Sequence, residues 1–360
     1  MIERKDQWWR RCRHRLSGSK RARNDIVISV VYHDDLKEVQ CDAPLADLAG
    51  APQARAPFDR IDWWQGLVQH CDILPLIAVA KQGKERAVLP LMRKGRQLHL
   101  LANWYNFRVA PLFSAGADQP ALLAALAADL AGQAPHLILN PLPDDNGETT
   151  LLAASLRRAG WWVFVAQCDV NHVLSVAGRS YDEYLAARPG QLRTTLKRKG
   201  GKVEVELITR FDPGIWAEYE AVYADSWKPE EGSPAFLRAF AEAEGSAGRL
   251  RMAVARSDGQ AIAAQFWTVE ANTAFIHKLA HTEASKPLSP GTTLSAALFE
   301  QVIDRDKVEL VDFGTGNDGY KRDWMELIRP RYRVEAFRPL WPGNWPLIAK
   351  AALRKLARRG

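Results

Sequence analysis

The stretch that most limits what this chain can fold into runs from Lys286 to Trp324, KPLSPGTTLSAALFEQVIDRDKVELVDFGTGNDGYKRDW. Its order is loop, helix, strand, glycine loop, helix. Ser289, Pro290 and Gly291 read as a helix start, with a hydroxyl at the cap and Pro in the first turn. The spacing predicts a helix from about Thr293 to Arg305, with Leu294, Ala297, Leu298, Val302 and Ile303 on one face. Val308 to Phe313 is a short apolar run suited to a buried strand. Gly314, Gly316 and Gly319 break it, and Tyr320-Lys321 opens a further helical segment.

Two features here can carry chemistry. A helix N-terminus offers unpaired amides and the positive end of the helix dipole, which suits a phosphate or pyrophosphate. The residues that would supply it are Ser289, Gly291, Thr292 and Thr293. A strand ending in a glycine loop brings Asp312, Asp318, Tyr320 and Lys321 to the carboxyl edge of a sheet, where ligands bind. Gly316 and Asn317 lie in that loop and are the other candidates for holding a donor. The competing readings are an ordinary capped helix and a plain glycine turn with solvated charges.

A chain of 360 residues suggests two domains or one large one. No apolar run approaches the ~20 residues of a membrane span, and the Arg-rich N-terminus has no apolar core of a secretory signal. Cys12, Cys41, Cys71 and Cys168 are scattered without C-x-x-C spacing. That argues against a zinc site and a disulfide framework, and fits a reducing cytosol. The net charge of +7 is unevenly placed: residues 1–23 carry +7, residues 341–360 carry +5, and the body carries −5. A nucleic-acid binder wants its basic surface on the folded domain, so nucleic acid is not expected as a partner.

Along the chain, Ile26 to Tyr32 is strand-like and Phe58 to His70 has helical spacing. Leu76 to Leu101 reads as an antiparallel meander with turns at Gln82–Lys84 and Gly95. Asn103 to Phe107 is an aromatic and amide cluster that can line a cleft or pack a corner. A helix (120–132), strand (136–140), helix (149–159) and strand (161–168) complete a mixed α/β unit. A helical segment then runs from Ser180 to Lys199, and Arg193, Lys197, Lys199 and Lys202 make a basic patch on it. A strand (203–208), two helices (213–227 and 234–244) and three strands (249–256, 261–270 and 273–281) lead into the opening stretch. Arg333 to Phe337 looks like a last strand, and Leu347 to Arg359 like a short basic amphipathic helix.

This order resembles the acyltransferase domain of the GNAT superfamily. It is most similar to the branch that groups CelD-like proteins with FemAB-like transferases (the BioF2-like acetyltransferase domain). In that branch an SPG element opens the helix after the central strands. A D-f-x-x-G-x-x-x-Y-K-x-x-W element follows, matched here by Asp312, Phe313, Gly316, Tyr320, Lys321 and Trp324. The resemblance covers about Ile26 to Pro339. It implies an α/β (α+β) fold of two GNAT-like halves, each a mixed, mostly antiparallel sheet flanked by helices. The expected division is a basic arm (1–24), an N-terminal GNAT-like domain (25–172), a C-terminal acyltransferase domain (173–340) and a basic amphipathic tail (341–360).

The activity implied is transfer of an acyl group, acetyl foremost, from a coenzyme A-type thioester to an amine or hydroxyl. The acceptor would be a polysaccharide, lipid or peptide precursor of the cell envelope. The cofactor expected is acyl-CoA (acetyl-CoA) as donor substrate, with no metal. The usual Q/R-x-x-G-x-G/A pattern is missing, so a carrier-borne thioester stays open. The expected location is cytoplasmic, with an anionic membrane surface as a further partner of the basic termini.

Acyl transfer needs a held donor, a polarised carbonyl and proton traffic. His277 and His281, four residues apart on one strand, should share a face and are candidates for general base. Tyr320 could protonate the leaving thiolate, Lys321 could hold a phosphate or an acidic acceptor, and Asp312 could orient either. The rival readings are a FemAB-type aminoacyltransferase using charged tRNA, against which the acidic body argues, and a membrane-peripheral scaffold without chemistry.

Overall fold

The structure is a computed structural model that describes residues 27–50 and 54–357. The basic arm expected over 1–24 lies outside the described residues. The N-terminal half contains β1 (Ser29–His33), α1 (Leu36–Cys41), α2 (Ala43–Leu48), α3 (Ile61–His70), β2 (Pro75–Gln82), β3 (Glu85–Lys94), β4 (Gln97–Leu100), β5 (Leu112–Phe113), α4 (Gln119–Asp129), β6 (His136–Leu142), α5 (Glu148–Arg158) and β7 (Trp162–Ser175). The C-terminal half contains α6 (Tyr181–Ala186), α7 (Gly190–Lys199), β8 (Glu204–Ile208), α8 (Pro213–Ala224), α9 (Pro234–Ser246), β9 (Leu250–Ser257), β10 (Gln260–Glu270), β11 (Thr273–His281), α10 (Pro290–Glu300), β12 (Leu310–Thr315), α11 (Gly319–Trp324), β13 (Leu327–Phe337) and α12 (Trp345–Ala357).

The strands form one sheet, ordered β1-β2-β3-β4-β6-β13-β7-β12-β11-β10-β9-β8, with β5 on β3. Both halves follow one plan. β1 to β4 and β8 to β11 are antiparallel ladders. Each ends on a strand paired in parallel with the next, β4 with β6 and β11 with β12. The last strand of each half crosses to the other: β7 pairs with β12, and β13 with β6. β7 and β13 pair with each other along all of Leu327–Phe337. The expected mixed α/β architecture is therefore present, with the two halves sharing one continuous sheet. The expected boundary at 172/173 falls inside β7.

Turn chemistry sets the register. β9–β10 and β10–β11 are joined by Asp258-Gly259 and Ala271-Asn272, all four at positive φ, as a two-residue turn of type I′ requires. Alternation then covers both faces. In β2, Ile77 and Val79 point to a core shared by both halves under α3, α8 and α9. Leu76, Ala78 and Ala80 point to the core under α4 and α5. The matching face of the C-terminal half packs beneath α10, around Leu294, Leu298 and Phe299.

Several boundaries differ from expectation. The helix from Ser180 to Lys199 is two helices, because Pro189 cannot donate its backbone nitrogen and starts α7 instead. α10 ends at Glu300 and widens into a π-turn over Gln301–Arg305. β7 and β13 run well past their apolar runs, since each is central and finds backbone partners on both sides.

Candidate active site

β11 and β12 pair only where Thr273–Phe275 faces Leu310–Asp312. Beyond that point each runs on unpaired by the other, so a gap opens between them. β11 also carries a bulge opposite Phe266/Trp267, with His277 as the extra residue. The bulge overturns the expectation that His277 and His281 share a face. His277 and Lys278 both turn to the shared aromatic core, whereas Leu279 and His281 return to the side of Gly291.

The His277 ring lies among Phe58, Trp63, Phe107, Phe240 and Phe266, with centroids between 5.1 and 6.4 Å away. Its Nε2 is 2.8 Å from the Thr268 hydroxyl. Burial, with help from the charges of Arg60 and Lys278, pushes its pKa down to about 3. A ring held neutral this firmly has little basicity to offer near pH 7, which corrects the expectation of a general base there. His281 differs. Its Nδ1 is 2.9 Å from the Thr282 carbonyl, which can only accept, so the proton sits on Nδ1 and Nε2 is left as an acceptor. The His281 ring lies 4.3 Å from that of Trp227.

Ser289 starts α10 in the left-handed region (φ 55) and its side chain caps nothing, contrary to expectation. The hydroxyl instead accepts from Lys199 Nζ at 3.0 Å, so the basic helix α7 leans on the start of α10. Thr292 and Thr293 donate their amides to the Ser289 carbonyl, and Pro290 has none. This narrows the expected donors of the first turn to the Gly291 N–H and the threonine hydroxyls. Gln265 fixes that turn to the sheet, donating to the Gly291 carbonyl and to Ser295 Oγ at 2.9 and 2.8 Å.

In the N-terminal half the topological counterpart of α10 is α4, between the parallel strands β4 and β6, and that of α11 is α5; acids seal both. Asp118 accepts from Ala121 N–H at the start of α4, and Asp144 takes both the amide and the hydroxyl of Thr150 at the start of α5. A carboxylate at a helix start competes with any anion for its amides. A lysine there does the reverse.

The loop after β12 is tightly held. Buried Asp312 accepts the Gly314 N–H at 2.8 Å and bonds the Asn171 amide through both oxygens at 3.1 Å. Burial raises its pKa against the pull of Arg331. Gly314 (φ +69) presses on the Phe107 ring, and a Cβ there would lie 2.8 Å from it. The Gly316 N–H bonds Asp169, and Asn317 Oδ1 meets His172 and Arg322. Lys321 is 5% exposed; its ammonium donates to the Thr315 carbonyl and lies 4.0 Å from Asp318. It braces the loop from within, where a donor phosphate or an acidic acceptor was expected as its partner. Tyr320 is exposed at the rim; burial of its hydroxyl, then Asp318, raises its pKa to about 12, so it stays protonated.

Three lysines converge here, of which sequence reasoning singled out one. Lys278 pairs with Glu231 at 2.6 Å, against the faces of Tyr105 and Tyr223. The Lys228 ammonium lies 5.7 Å from the Trp227 ring and feels the opposing charges of Glu231 and Asp318. Burial, then the charges of Lys278 and Lys321, push its pKa down to about 8. Lys228 also lines a cavity of about 430 Å³ between α8 and α9, with Trp216, Tyr219, Tyr223, Glu230 and Leu237. The Tyr219 hydroxyl is buried there without a partner. In sequence, Trp227-Lys228-Pro229 reads only as a helix end, and nothing local marks Lys228. In the Asn103–Phe107 cluster, Tyr105 packs on Lys278 and Phe107 on Gly314, and both rings belong to the buried core. Among the described residues no group of His, Cys, Asp and Glu could hold a metal ion, and no helix is long and apolar enough to cross a membrane.

Residues 182–322 match the family model described as Acetyltransferase (GNAT) domain. Solved structures of similar fold include the C-terminal domain assigned to a lysylphosphatidylglycerol synthetase of Agrobacterium fabrum. It has 14% identity and a TM-score of 0.56, over 89% of this chain and 96% of that one. FemX has 8% identity and a TM-score of 0.56, over 85% and 96%. A tandem GNAT protein from the clavulanic acid biosynthesis pathway has 14% identity and a TM-score of 0.50, over 86% and 98%. At such identities these show the fold. No curated protein sequence matches. The segment 182–322 is thereby a GNAT-type acetyltransferase domain by its family model, and the solved structures share the fold. In this chain the domain that carries the match is the C-terminal half, from α6 through α11.

Proposed function

We propose that the C-terminal half transfers an acyl group, acetyl foremost, from a coenzyme A-type thioester to an amine acceptor. The two-half division at 172/173 is kept as part of this reading, with the N-terminal half as its support. The observation that carries it is the start of α10. That start is braced by Lys199 and has no acid in its first turn, beside the gap where β11 and β12 part, while its N-terminal counterpart, the start of α4, is capped by Asp118.

In this reading Ser289, Gly291, Thr292 and Thr293, with Lys199, hold the donor's phosphates. Gly316 and Asn317 bound the far side of the gap. The acceptor enters from the cavity between α8 and α9. Lys228, whose pKa burial and its cationic neighbours lower to about 8, takes the proton from the acceptor's ammonium. Tyr320 protonates the departing thiolate. Asp312 and Lys321 position the glycine loop, and His281 borders the donor at Gly291. Proton transfer is given to Lys228 in place of His277, whose ring is neutral and enclosed. The CelD-like branch, a cell-envelope precursor as acceptor, and a cytoplasmic location with contact to an anionic membrane belong to the same proposal.

Isothermal titration with coenzyme A and acetyl-coenzyme A tests it, repeated with Gly291→Trp. Micromolar binding lost in Gly291→Trp is the expected outcome. Absence of binding to either compound removes coenzyme A from the reading. Binding that ignores Gly291→Trp removes the site.

A further inference from the structure

The C-terminal segment takes no part in the site above and presents an unusual surface. After β13 the chain turns through Leu340 and Trp341 into α12. Five large apolar side chains there face outward: Leu340 at 86%, Trp341 at 42%, Trp345 at 60%, Leu347 at 40% and Leu353 at 66% exposure. They do not dangle. The Asn344 amide donates to the Pro135 and Arg338 carbonyls at 2.8 and 3.0 Å, and the Trp345 indole donates to the Pro339 carbonyl at 2.9 Å. The Arg96 guanidinium covers the Trp341 ring at 4.6 Å. Ile348 and Ala351 anchor the inner line of α12 on Phe337 and Phe164. Leu353 lies on the outer side of the helix, opposite Ile348 and Ala351 and about 80° round from Trp345, with Lys350 and Arg354 next to it.

A rigid apolar patch of this kind marks an interaction surface. Its charge selects the partner: residues 341–360 hold five Lys/Arg and no acidic residue. Indoles on a cationic amphipathic helix match the boundary of an anionic bilayer, where rings sit at headgroup level and ammonium and guanidinium groups meet phosphates. We infer that Leu340, Trp341 and the outer face of α12 dock the protein on an anionic lipid surface. The inference rests on the membrane contact of that reading and places it on named residues; because docking requires no donor or chemistry, its failure leaves the acyl transfer itself untouched.

The full chain is sedimented with phosphatidylcholine vesicles, with and without phosphatidylglycerol, beside Trp341→Ser/Trp345→Ser/Leu353→Ser and Lys350→Glu/Arg354→Glu. Circular dichroism melts check that both variants fold. Binding is expected only with the anionic lipid, weakened by salt, and reduced about tenfold or more in either variant. Wild-type binding that survives in the serine variant would place the contact elsewhere, on residues 1–24 for example, and overturns the inference. Equal binding to neutral vesicles overturns the choice of partner. Self-association without lipid, lost in the serine variant, would assign the patch to a second copy of the chain and overturns it also.

Discussion

Lys199 Nζ donates to Ser289 Oγ across 3.0 Å, joining the end of α7 to the start of α10. The pair puts a cation at a helix start, where the dipole already favours anions. Lys199→Ala is expected to raise the Kd for acetyl-coenzyme A roughly tenfold, about 1.4 kcal/mol for a charge-assisted contact, and Lys199→Glu by more. Titration calorimetry at low salt reads it. An unchanged Kd in Lys199→Glu would mean that the donor's phosphates lie elsewhere.

Lys228 sets a pH dependence. Its folded pKa is about 8, so it carries a proton below that and is neutral above. A base must be neutral to act, so kcat/KM with a small amine acceptor is expected to rise through about pH 8 and then level off. Lys228→Met should lower kcat by roughly 10²–10⁴ and flatten the rise. Lys228→Arg, permanently charged, should be as slow as Lys228→Met. A profile that falls through pH 8 would give Lys228 a role for its charge in place of its lone pair.

Gly314 tests the loop. Alanine there must adopt φ +69 and push its Cβ to within 2.8 Å of the Phe107 ring. A loss of about 1–3 kcal/mol in urea unfolding is expected. Gly319→Ala, with nothing within 4 Å and ordinary φ, is the control and should stay within about 0.5 kcal/mol. Equal stability of the two variants would contradict the close packing of Phe107.

Glu270 gives the fold its own pH response. It lies beside Arg60, which also bonds Glu244 at 2.6 Å and so ties α3 of one half to α9 of the other. Burial raises the Glu270 pKa from 4.5 to about 7, more than Arg60 lowers it. A raised acid favours the protonated folded state, so its stabilising effect is full below about pH 4.5 and lost as pH rises to 7. The difference is roughly 3 kcal/mol. Glu270→Gln should therefore be more stable than wild type at pH 8 and nearly equal to it at pH 4.5. Parallel melts at the two pH values decide.

Tyr320→Phe removes the proton proposed for the leaving thiolate. A fall in kcat of about 10- to 10³-fold with little change in donor affinity is expected. A matched rise in Kd would mark Tyr320 as a binding contact.

Local pattern carried much of this fold. Alternation in β2, the positive-φ turns Asp258-Gly259 and Ala271-Asn272, and the Ser289-Pro290-Gly291 start are short-range chemistry, and elements built on them lie close to where periodicity puts them. The D-f-x-x-G-x-x-x-Y-K-x-x-W element likewise marks the loop of Asp312 and Gly316 in the sequence itself. What needed tertiary structure was everything set by a distant partner. β13 runs back to Leu327 because β7 supplies a ladder that its own sequence does not announce. His277 leaves the face of His281 because β10 imposes a bulge. Lys321 turns inward to Thr315, and Lys228 loses part of its basicity, because burial and neighbouring charge act through space. Side-chain type and local periodicity are written in the chain one residue at a time. Burial, register across strands and electrostatic environment are sums over residues far apart in sequence, and exist only once the sheet has closed.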